Sequence, residues 1–79
     1  MDTELSNNRR AEIADDMVIT YSNQHGCHDG RETVMSDIIS DFMHLASAAG
    51  LNWQEIIDRA TNHYNAEVHE LGAATSIGD

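Results

Sequence analysis

The sequence predicts an all-α chain of three helices, and three observations carry that prediction. Proline is absent, so no stretch is barred from helix by a missing backbone N–H. Apolar residues recur at steps of three and four in three separate segments, the spacing of a helix with one buried face. Glycines lie between and after those segments, at Gly26, Gly30, Gly50 and Gly72, where helices end. At 79 residues the chain has room for one small domain, 1–79, burying about 60% of its unfolded surface. Residues 1–5 and 72–79 are expected to be frayed ends.

The first helix is expected over 8–22, capped by Ser6, Asn7 or Asn8. Its apolar stripe is Ile13, Ala14, Met17, Val18 and Tyr21. Val18-Ile19-Thr20-Tyr21 also suits a strand, but a lone strand has nothing to pair with. Ser22 to Gly30 reads as a loop. Asp29 with Glu32 makes a variant capping box that starts the second helix near residue 30.

Val34, Ile38, Phe42, Leu45, Ala46 and Ala49 form the expected buried face of the second helix, and Met35, Ile39 and Met43 a flanking stripe. A helix apolar over more than half its girth calls for neighbours on two sides, which points to a dimer. Gly50 is placed to close this helix in a left-handed turn. Asn52 with Glu55 opens the third, with Leu51 stapled onto Ile56. Trp53, Ile56, Ile57, Ala60, Tyr64, Val68 and Leu71 carry it to about Leu71. So short a connection makes helices two and three an antiparallel hairpin.

Charge is the second strong signal. Fourteen carboxylates face four basic residues, a net charge of −10. The four are Arg9, Arg10, Arg31 and Arg59, and lysine is absent. Direct binding to nucleic acid or to an anionic membrane is excluded, since phosphate contacts need a basic face. A basic partner surface is the natural complement. The single Cys27 allows no internal disulfide, no signal-peptide run opens the chain, and no stretch has the roughly 20 apolar residues of a membrane span. The expected location is cytoplasmic.

Candidate chemistry is sparse. Asp37, Asp41 and His44 share one side of the second helix, and His63 and Glu67 stand four apart on the third. A tight hairpin would bring these five together as ligands for a divalent metal, in a metal-binding module or a small metal-dependent hydrolase. The competing reading is a set of solvated or hairpin-bridging hydrogen bonds. His25, Cys27 and His28 supply zinc-ligand types, but no second Cys/His pair matches them. Phosphate loops, dinucleotide fingerprints and Ser/His/Asp candidates are missing. No cofactor and no catalytic residue is expected.

The run Asp37-Ile38-Ile39-Ser40-Asp41-Phe42-Met43-His44, the turn at Gly50 and the run Ala60-Thr61-Asn62-His63-Tyr64-Asn65-Ala66-Glu67 resemble a set of small proteins from phages, plasmids and other mobile elements. The resemblance covers about residues 33–68, and the set is defined by its pattern rather than by an activity. A small acidic helical protein of that kind is similar in type to anti-CRISPR and other anti-defence inhibitors, several of which mimic DNA. This resemblance implies a non-enzymatic inhibitor that enters the basic channel of a host defence complex, such as a CRISPR surveillance complex, and excludes DNA. Asp15, Asp16, Asp37, Asp41, Glu55, Asp58 and Glu67 are the expected contact carboxylates. Besides the metal site, a helical dimer acting as adaptor or regulator through Met35, Ile39 and Met43 is the alternative.

Overall fold

In a computed structural model, which describes residues 6–26 and 29–75, the chain is built from three α-helices. They are α1 (Asn7–His25), α2 (Arg31–Ala49) and α3 (Trp53–Leu71), each of 19 residues and so about 28 Å long. The all-α expectation holds, with no strand among the described residues. Val18 to Tyr21 are helical, because a capped helix satisfies their backbone groups where no strand partner exists.

Local chemistry fixes most helix ends. Ser6 caps α1, its Oγ accepting the Arg9 N–H at 3.0 Å. This helix runs three residues past its expected end and closes at Gly26, in the left-handed region with φ 64°. Tyr21 and His25 stack across that last turn with ring centroids 4.1 Å apart, which holds together a segment read from sequence as loop. The predicted capping box of α2 does not form: the cap is Gly30, without a side-chain hydrogen bond, and Asp29 lies one residue outside it. Glu32 in the first turn still complements the helix dipole.

Gly50 ends α2 as expected, with φ 72°. The Leu51 N–H reaches back to the Ala46 carbonyl at 2.8 Å, the outer bond of a Schellman closure. Asn52 then opens α3, its Oδ1 accepting the Glu55 N–H at 3.1 Å. Residues 72–75 are tied down rather than loose. Asn7 Nδ2 donates to the carbonyls of Glu67 (2.9 Å) and Gly72 (2.6 Å), and Thr75 N–H donates to Asn8 Oδ1 (2.8 Å).

Two long-range contacts place α2 on α1. Arg31 pairs with Asp15, and the Tyr21 hydroxyl donates to Asp41 at 2.6 Å. From Asp15 to Tyr21 is about 9 Å along α1, whereas Arg31 to Asp41 is about 15 Å along α2. The helices therefore cross obliquely, and Val34, between those contacts in sequence, is wholly buried. At the other end of α1, Arg10 meets Glu67 of α3 at 3.5 Å.

An oblique crossing covers only a short length of each helix. Among the described residues only Val34 and Ala46 are buried, at 0% and 2% exposure. Phe42, Leu45, Met17 and Tyr64, all expected in the core, are 52%, 59%, 61% and 61% exposed. Between α2 and α3 lies an open apolar cleft of about 390 Å³, walled by residues including Ile39, Phe42, Leu45, Trp53, Ile57 and Ala60. The radius of gyration is 14.2 Å, against about 12 Å for a compact chain of this length.

Candidate interaction surface

The arginines sort the seven expected contact carboxylates. Arg31 grips Asp15 through two nitrogens, at 2.6 and 3.3 Å. That hydrogen-bonded guanidinium holds the Asp15 carboxyl below its ordinary value, and the carboxylate raises Arg31 in return. Glu67 is half-buried beside Arg10. Asp15 and Glu67 are thus each paired with an arginine within the chain. Arg9 is likewise engaged, by Glu12 at 2.9 Å.

The other five are exposed and form none of these arginine pairs. Asp41 accepts from Tyr21, and Asp58 from Gln54 Nε2 at 3.0 Å; both donors are neutral and neither cancels the carboxylate. Asp16, Asp37 and Glu55 are exposed. Helix α2 carries Asp37 and Asp41 on adjacent turns, and α3 carries Glu55 and Asp58 near its start. Three of the four arginines pair with other acids; the fourth, Arg59, lies on α3 one turn after Glu55 and next to Asp58.

The expected metal cluster is not assembled. Tyr21, near the end of α1, holds Asp41, while Arg10, near its start, holds Glu67. Those two anchors are about 16 Å apart along α1. His44 and His63 are exposed. No three His, Cys, Asp or Glu side chains gather into a group able to hold a metal among the described residues. His25 stacks on Tyr21, and Cys27 and His28 lie outside the described residues.

Three residues that matter here escaped the sequence reading. Tyr21, a stripe residue by its spacing, also fixes Asp41 through its hydroxyl, and Arg10 and Arg31 each pair with one acid. No family model, curated protein or solved structure matches the chain. None of its helices, over the described residues, is long and apolar enough to cross a membrane.

Proposed function

We propose that this chain is a non-enzymatic acidic inhibitor that occupies the basic, nucleic-acid-binding channel of a host defence complex, such as a CRISPR surveillance complex, and excludes DNA from it in the cytoplasm. The observation that supports this reading is the set Asp16, Asp37, Asp41, Glu55 and Asp58, left without arginine partners in the geometry above. Scale agrees with it. The molecule extends 33 × 31 × 24 Å, and a duplex of the longest dimension carries about 19 phosphate charges. Fourteen carboxylates approach that count, and the net charge of −10 is about half of it. The metal-dependent alternative draws no support, since its five candidate ligands are dispersed.

The test is affinity capture from cells carrying DNA-targeting defence complexes, followed by a salt titration of the recovered pair. A nucleic-acid-binding complex, released by salt or by competing DNA, is the expected catch. Changing Asp16, Asp37 and Glu55 together to lysine leaves the cited hydrogen bonds and ion pairs intact. This triple variant weakens binding by about tenfold or more and flattens the salt dependence. Undiminished binding by a folded triple variant overturns the reading.

A further inference from the structure

The chain exposes more surface than a folded monomer of its size. Its accessible area is 6205 Å², whereas 8.7 kDa corresponds to about 4,700 Å² in a compact monomer. The excess is about 1,500 Å² per chain. A stable complex of standard size needs about 800 Å² from each partner, and obligate homodimers take more. A subunit interface of standard size takes about half of that surplus.

Its apolar part is concentrated. Met35, Ile39, Phe42 and Met43 are 50%, 46%, 52% and 47% exposed and follow one another along a single side of α2. Phe42 and Ile39 also form one wall of the apolar cleft, with Ala60 on the opposite wall. The charged residues of α2 beyond its first turn, Asp37 and Asp41, lie about 145° or more around the helix from the centre of this stripe. From Ile39 to Met43 the face therefore carries no charged residue of α2, in a protein of net charge −10, whereas Met35 borders a groove shared with Arg10, Asp15, Arg31 and Glu67. A basic partner gains nothing from the stretch between Ile39 and Met43.

We infer that a second copy of this chain covers the face. Two α2–α3 pairs meet about a two-fold axis, each α2 stripe seated against the other copy's cleft, giving a four-helix arrangement with the two α1 helices outside. The self-pairing brings apolar stripe to apolar cleft and turns Asp37 and Asp41 of both copies away from the seam. It does not rest on the inhibitor reading, and either can fail alone.

Sedimentation equilibrium and light scattering on the intact chain are expected to give about 17 kDa, twice the 8.7 kDa of one chain. Ile39→Glu weakens the association by about a hundredfold or more, because it places a charge in a desolvated seam. Ile19→Glu changes another exposed apolar residue, on α1 in a groove that no stripe residue lines, and leaves the association unaltered. Should Ile39→Glu lose helicity, a benzophenone side chain at position 43 reads the same seam in an otherwise native chain. Light then yields a covalent dimer from position 43 and none from position 19. A monomer at high micromolar concentration, a different stoichiometry, or a dimer sensitive at Ile19 and not at Ile39 overturns the inference.

Discussion

Asp15 and Val34 show how much single side chains carry in a chain this thinly packed. The Asp15 carboxyl is held below 3.8 by Arg31, so its ionised form is favoured in the folded chain. A depressed carboxylate contributes stability above the unfolded value and loses it as pH falls through the folded one. The contribution is therefore intact above about pH 5 and disappears on acidification below about pH 4. Protonation of other acids relieves repulsion in a chain of net charge −10, an effect of opposite sign. Comparison with Asp15→Asn separates the two: a urea series read by circular dichroism shows the wild-type advantage at pH 7 vanishing in acid. Val34 is wholly buried, and Val34→Ala removes two methyl groups from one of the few packed points. A loss of about 2 kcal/mol is expected in urea unfolding, against a total stability of about 4–12 kcal/mol for 79 residues.

At the scale of the helix, the structure separates what is local from what is not. Ser6, Gly50 and Asn52 were legible as caps because the bonds they make span three to five residues. The end of α1 was misplaced because Ser22 to His25 have loop-like composition, and the Tyr21–His25 stack outweighs it. How α2 lies on α1 was not legible at all. It rests on Asp15–Arg31 and Tyr21–Asp41, 16 and 20 residues apart, and nothing in composition marks those residues as a pair. The same blindness placed Phe42 and Leu45 in the core: their period is correct, but periodicity does not say how far a neighbouring helix reaches. The strap after α3 is a further non-local element. Deleting the residues beyond Leu71 removes the bonds from Gly72 and Thr75 to Asn7 and Asn8. Amide exchange in the first turn of α1 is expected to accelerate by about tenfold, while the amides behind the Asn52 cap are unchanged.

For the whole molecule, charge and apolar surface make separate demands. The acidity was legible from composition, but the pairing of Glu67 and Asp15 with Arg10 and Arg31 was not. The result is an acidic exterior beside an apolar stripe, and a paired molecule would present its carboxylates twice. The lone chain, with only Val34 and Ala46 shut from water among the described residues, removes little hydrocarbon from solvent when it folds. Its heat capacity of unfolding accordingly falls below the roughly 1 kcal/mol/K usual for 79 residues. A small heat capacity flattens the stability curve, so warming or cooling changes a single chain's stability only gradually. Closing the cleft against another copy, as inferred above, would restore the curvature, and the temperature response would then be a property of the assembly rather than of the fold.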